Sequence, residues 1–167
     1  DDCSTDNSIN ILEEYKFKYP EITRTCYNTE NAGNVFVQWK KGIELAKGDY
    51  IWIAEADDCS LEDFLKTVLL PCKRDEDVIL SYANSNIVGP NNEYYDSYEN
   101  TRWLTEIDAD KWKSDYVLEG KYEVRNSLAF RNTIPNVSAV VFKKEILRNR
   151  IDSVLDYKKA GDWLVYI

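Results

Sequence analysis

Asp49-Tyr50-Ile51-Trp52-Ile53-Ala54-Glu55-Ala56-Asp57-Asp58 is the stretch on which the fold turns. Tyr50 to Ala54 is apolar without alternation, a pattern that suits a strand covered on both faces in a parallel or mixed sheet. Such a strand is expected to be central, and an acidic cluster follows it at once. Before it, Phe36, Trp39, Ile43 and Ala46 recur at helical spacing until Gly48 ends the pattern. After it, Phe64, Leu65, Val68 and Leu69 share a helical face that Pro71 is expected to stop, and Val78 to Tyr82 reads as another strand.

Working further out, Thr23 to Tyr27 reads as a short strand. An amphipathic helix with Ile9, Leu12, Tyr15 and Tyr19 precedes it, opened by the capping residue types of Ser4 to Ser8 and closed by Pro20. Alternating strands and helices in this order are the mark of an α/β sheet, whose ligands gather beyond the carboxyl ends of the strands. Glu55 to Asp58 lies at such an end. From Ala83 to about Gly120 the pattern weakens, with Trp103, Ile107 and Trp112 marking short helical pieces. The tyrosines Tyr94, Tyr95 and Tyr98 with Trp103 read as packing or loop before they read as a ligand-binding surface. Ser138 to Phe142 reads as a strand, Glu145 to Arg148 as a turn or helix, and Asp162 to Ile167 as the start of a last helix.

The chain has 167 residues, 44% of them hydrophobic, enough for one domain with an apolar core and too few for a second. A formal charge of −9 with scattered basic residues weighs against nucleic acid as a partner, because phosphate binding needs clustered lysine and arginine. No apolar run approaches the twenty or so residues a membrane span needs. The absence of histidine excludes serine-histidine and cysteine-histidine catalysis and leaves a carboxylate, lysine, tyrosine or thiolate as general base. Cys3, Cys26, Cys59 and Cys72 have no C-x-x-C spacing and no histidine to complete a zinc set, so they read as reduced, small core residues, with two disulfides as the alternative. The chain opens at Asp1 without methionine and reads as an internal piece.

Glu55, Asp57 and Asp58 offer the carboxylate oxygens that a hard divalent cation over a diphosphate prefers. Strand alternation puts Glu55 and Asp57 on one side and Asp58 on the other, so that one meets the metal while another bonds a ribose or a phosphate-bound water. Taken alone, the same turn also reads as a helix cap, with Asp58-Cys59-Ser60 leading a helix from Leu61.

More weight comes from the ordered blocks Asp1-Asp2-Cys3-Ser4-Thr5-Asp6-Asn7-Ser8, Asn31-Ala32-Gly33, Lys41 to Ile53, and Glu55-Ala56-Asp57-Asp58. Together they resemble the family 2 glycosyltransferases, closely from Asp1 to about Leu65 and more weakly at Asn136 to Leu147 and Gly161-Asp162-Trp163. The resemblance implies a GT-A-like α/β fold: a mixed, mostly parallel sheet flanked by helices, lacking its first strands. It also implies a single catalytic domain over residues 1–167, with a nucleotide and donor half at 1–82 and an acceptor half at 83–167. Residue by residue, it makes Asp2 the contact to the nucleotide base, Asp57 and Asp58 the donor site of DXD type, and Asp58 the ligand of Mn2+ or Mg2+. It makes Asp162 the general base. Glu55 stands where many members have aspartate, so its role is open, and Asn34 stands near a position where some members carry a basic donor contact.

The implied reaction is inverting transfer of a sugar from a nucleotide-diphosphate sugar to a hydroxyl of a polysaccharide, glycan or lipid-linked acceptor, with the cytoplasm, or the cytoplasmic face of a membrane for the full-length protein, as its place. The alternatives are a non-catalytic nucleotide-sugar-binding fragment and a sugar nucleotidyltransferase, although the glycine-rich basic loop of the latter is not in this sequence. Without the family's first central strands, this chain is expected to be inactive or to borrow strands from a second copy as a homodimer. Asn136-Val137-Ser138 reads as a strand start before it reads as a glycosylation site.

Overall fold

A computed structural model describes every residue from Asp1 to Ile167. In chain order the elements are α1 (Ser8–Lys18), α2 (Val35–Leu45), β1 (Tyr50–Trp52), α3 (Phe64–Arg74), β2 (Leu80–Tyr82), β3 (Asn86–Val88), β4 (Tyr94–Ser97), α4 (Arg102–Thr105), α5 (Gly120–Glu123), β5 (Val140–Lys143), α6 (Lys144–Arg150) and α7 (Gly161–Tyr166). No helix is long and apolar enough to cross a membrane.

The main sheet has the order β1-β5-β2, and β5 is antiparallel to both neighbours, with Ile51 opposite Phe142 and Ser81 opposite Val141. The mostly parallel sheet expected from the sequence is therefore corrected: β1 and β2 point the same way, but β5 lies between them. The apolar run of β1 correctly signals cover on both faces, yet such cover carries no information about the direction of a neighbour. Nor is β1 central in this sheet. That place belongs to β5, whose Val140, Val141 and Phe142 are all buried, whereas Tyr50 and Trp52 of β1 are only half-buried.

Four further expectations are corrected. Thr23 to Tyr27 forms no strand; its end is held alongside the amino terminus, with the Asp1 ammonium donating to the Cys26 carbonyl (2.7 Å) and the Asn28 amide donating to Asp1 (3.0 Å). Pro71 does not stop α3 but sits inside it, forgoing one backbone bond, while Val68 and Cys72 are buried on either side of it. Of the cysteines only Cys72 is a core residue; Cys26 and Cys59 are exposed, Cys3 is half-buried, and all four are free. The stripe on α1 meets no core: Ile9, Tyr15 and Tyr19 are exposed.

One cluster of 14 buried residues forms the core and joins α2 and β1 to the last third of the chain, with Phe36, Trp39 and Ile43 of α2 and Ile51 of β1 packed with Val140, Phe142, Leu147, Val154 and Val165. Fully burying side chains of this kind contributes about 1.5–3 kcal/mol each. Phe36 makes an edge-on contact with Trp39 at 4.9 Å between ring centres, and its ring also covers Gly161.

The irregular middle third is more ordered than its sequence suggests. β3 and β4 form a hairpin that turns through Asn92 in the left-handed region (φ 60°). The short helical pieces fall at Arg102–Thr105 and Lys111–Lys113, as expected. Lys111 and Glu123 form an ion pair that leaves the two side chains only 11% and 13% exposed, and the Lys111 ammonium also donates to Ser127 Oγ at 2.6 Å. Beside it, Trp112 Nε1 donates to Tyr82 Oη at 3.0 Å, and Tyr82 and Tyr116 share a hydroxyl hydrogen bond. This cluster pins the middle segment to the end of β2.

A Cβ added at Gly161 would lie 2.5 Å from Phe36 Cζ, a separation that forces the helix and the ring apart. Gly161→Ala is expected to destabilise the protein by about 1–3 kcal/mol, the usual cost of overpacking; an unchanged midpoint of thermal unfolding would show that the contact is looser than described.

Candidate functional site

Helix α2 organises the region. Its N-cap, Asn34, accepts from Phe36 N at 2.9 Å, while its amide donates to the carbonyls of Leu155 (2.6 Å) and Tyr157 (3.1 Å). Asn34 thus ties the start of α2 to the segment that leads into α7. Ala160, at φ 56°, turns that segment, and Gly161 and Asp162 open the helix against the Phe36 ring. From the next turns of α2, Trp39 Nε1 donates to Glu55 Oε1 at 2.8 Å, and Lys41 Nζ donates to Asn28 Oδ1 at 2.6 Å.

Asp2 sits in a network of short-range polar groups. Its Oδ1 accepts from Asn28 Nδ2 (2.6 Å) and from the Ala32 amide (2.8 Å), and its carbonyl accepts from Asn31 Nδ2 (2.8 Å). Gly33 in the left-handed region (φ 60°) lets the loop close so that its amide reaches Asn31 Oδ1 at 2.7 Å. The Ala32 amide, then the Asn28 side chain, hold the Asp2 carboxyl below its usual range, with the Lys41 charge adding to them. The Gly33 amide adds to the same effect, and an ionised carboxylate of this kind accepts only. Next to Asn28, Gln38 Nε2 is buried without a partner.

At the carboxyl end of β1, Ser138 fixes the chain: its Oγ accepts from the Glu55 amide (2.9 Å) and its carbonyl from Trp52 Nε1 (2.8 Å). Glu55 is half-buried and engaged by Trp39, while Asp57 and Asp58 are exposed beyond it. The expected cap on a helix from Leu61 does not form, since α3 starts at Phe64 after Asp63 and the Asp58 amide turns back to the Glu55 carbonyl at 3.3 Å. Asn136 caps the turn over Val137–Ala139, accepting from Ser138 N at 2.7 Å, so the strand expected from Ser138 begins at Val140.

Asp162 occupies the first turn of α7, half-buried, and its Oδ2 accepts from Asn132 Nδ2 at 2.9 Å. One turn along, burial and the nearby Asp162 charge push the Tyr166 phenol well above its usual range, keeping it neutral. The structure brings Glu55 and the approach to Asp57 and Asp58 to the same sheet end as Ser138, and anchors Asp2, Glu55 and the α7 entrance on one helix. Sequence reasoning read Trp39 only as part of a buried helical stripe and Lys41 only as the start of a family block, and gave neither them nor Asn28 and Asn132 a part in the site. Their signal is spatial: Asn132 lies 30 residues from the side chain it holds, and no local spacing marks such a pair.

Residues 1–134 match the family model described as glycosyl transferase family 2, and the chain belongs to that family. It is 27% identical to the dTDP-rhamnosyl transferase RfbG of Shigella flexneri over 99% of this chain and 53% of that protein. It is 27% identical to the uncharacterized glycosyltransferase YibD of Escherichia coli over 87% of this chain and 39% of that one. A shorter match, 40% identical over 35% of this chain and 9% of the relative, is to a poly(ribitol-phosphate) beta-glucosyltransferase of Bacillus spizizenii. The chain thus spans about half, or less, of the length of these relatives. No solved structure matches it.

Because the folded Asp2 carboxyl titrates below its ordinary value, its bond to Ala32 is complete above about pH 3.8 and is lost as pH falls through the lower folded value. Hydrogen exchange at the Ala32 amide is expected to stay slow in mildly acidic buffer, to be faster in Asp2→Ala at the same pH wherever the wild-type carboxyl is ionised, and to converge in the two proteins below the folded value; equal exchange at neutral pH would break the assignment.

Proposed function

We propose that this chain is the catalytic domain of an inverting glycosyltransferase that moves a sugar from a nucleoside-diphosphate sugar to a hydroxyl of a glycan or lipid-linked acceptor. The observation that carries the reading is the convergence on α2: Lys41 and Asn28 support Asp2, Trp39 holds Glu55 ahead of Asp57 and Asp58, and Phe36 seats Gly161 beside Asp162. In this reading residues 1–82 bind the donor and residues 83–167 face the acceptor, within one domain.

Asp2, acceptor-only when ionised, takes a ring N–H of the nucleotide base. Asp57 contacts the donor and Asp58 holds a divalent cation, Mn2+ or Mg2+. The donor set fits such an ion: both carboxylates are exposed, and ions of this class use one or two carboxylates together with phosphate oxygens. No cluster of three or more His, Cys, Asp or Glu side chains gathers in the chain. When bound, the cation neutralises charge growing on the departing diphosphate. Asp162 takes the proton of the acceptor hydroxyl as that oxygen bonds to the anomeric carbon, and the bond to the diphosphate breaks on the opposite face. A single displacement of this kind inverts the centre and needs no second nucleophilic carboxylate.

The relative matched along nearly the whole chain is named a dTDP-rhamnosyl transferase, which puts thymidine diphosphate first among the nucleotides to test, and the poly(ribitol-phosphate) relative puts polyol-phosphate polymers first among acceptors. Calorimetric titration with thymidine, uridine and guanosine diphosphates is expected to show manganese-dependent binding that Asp58→Ala abolishes. Asp162→Asn is expected to bind donor normally and to lose transfer by about 10²–10⁴-fold. Transfer at the wild-type rate by that variant would remove Asp162 as the base, and metal-independent binding of every diphosphate would remove the role of Asp58.

A further inference from the structure

Asn132 meets Asp162 in a way that no sequence motif announces. Its side chain is held at both ends: Oδ1 accepts from the Ile134 amide at 3.2 Å and Nδ2 donates to Asp162 Oδ2 at 2.9 Å. The first bond decides which end of the amide faces Asp162, because a backbone N–H can only be met by the oxygen. The residue's backbone is equally constrained, since its carbonyl accepts from Trp103 Nε1 at 2.7 Å. Arg131, just before it, donates to the Trp103 carbonyl at 3.0 Å and to Glu106 at 3.3 Å, and its guanidinium lies 5.1 Å from the centre of the Trp103 ring. On the other side Thr133 is fully buried. Asn132 is therefore a rigid donor presented to a carboxylate at the mouth of α7.

We infer that Asn132 is a positioning residue for sugar transfer: it holds the Asp162 carboxylate by Oδ2 so that Oδ1 faces the acceptor hydroxyl and receives its proton. The inference rests on the assignment of Asp162 as the base. A carboxylate on a single Cβ turns freely about its last torsion, which is broad and soft. One fixed N–H on one oxygen removes that freedom and leaves the other oxygen to a partner. Near-attack geometry is sensitive to displacements of about 1 Å, for which losses on the order of 10²-fold are usual. The Asn132 amide carries no proton to the substrate and touches no reacting atom; it acts through Asp162.

The ordering of two variants tests this. Asn132→Asp keeps the size and the oxygen that the Ile134 amide needs, but replaces the donor with a second carboxylate beside Asp162. Asn132→Ala loses both bonds without adding charge. If Asn132 only shapes its loop, Asn132→Asp is the milder change; if it aims the base, Asn132→Asp is the worse one, because like charges at that separation oppose each other. In the full-length enzyme, with the nucleotide sugar identified by the binding panel, kcat is expected to fall about 10-fold in Asn132→Ala and at least about 100-fold in Asn132→Asp, while KM for the donor stays within twofold. Calorimetric donor binding and the thermal midpoint, measured on the same preparations, separate misfolding from misplacement. Wild-type kcat in Asn132→Asp, or a parallel loss of donor binding, overturns the inference. Asp162→Asn made alongside distinguishes the two levels: full activity in that variant discards the base assignment, whereas an inactive Asp162→Asn with an active Asn132→Asp discards only the role of Asn132.

Discussion

The contact between the Phe36 ring and Gly161 is the constraint on which the site depends. It lets the entrance of α7 lie directly against α2, with nothing but a hydrogen where a side chain would stand. Asn34 reinforces that approach from one residue pair away by bonding the carbonyls of Leu155 and Tyr157. The same helix then reaches Glu55 through Trp39 and Asn28 through Lys41. Residues separated by more than 120 positions in the chain are thus referred to a single rigid body, and any tilt of α2 moves the supports of Asp2, Glu55 and Asp162 together. For chemistry that needs a donor and an acceptor aligned, a common support is a mechanical advantage, since the relative placement of the parts survives motion of the whole.

How much of this was legible in the sequence follows from what local pattern can encode. The 3.6-residue period exposed α2 and α3, because each has a face buried in the core, α2 against α6 and α3 against β2 and β5. Direction and order within the sheet were not legible from the apolar run at Tyr50 to Ala54, since cover on two faces is common to parallel and antiparallel strands when helices lie on both sides. The more telling run was Val140-Val141-Phe142, shorter but buried throughout. α1 shows the converse error: its stripe has the right period, yet period alone does not supply a partner, and its apolar side chains stay in solvent.

The candidate site divides in the same way. Carboxylates next to predicted strand and helix ends could be read from spacing and order. The groups that hold them could not, because Trp39, Asn28 and Asn132 look like ordinary helix or loop residues until the chain closes over long sequence separations. Pro71 was misread for a related reason: a proline removes one bond of a helix, and the burial of Val68 and Cys72 on its two sides outweighs that loss.

The Lys111–Glu123 pair beneath the middle segment has a consequence for how this sequence can change. Both charges are nearly withdrawn from water, and Glu123 Oε1 has no partner at all. Replacing one member alone strands the other and costs about 3–5 kcal/mol, whereas exchanging both for apolar residues of similar volume is often neutral. Drift at these two positions therefore has to cross a valley in one step, and a sequence that folds this way is expected to keep both charges or neither.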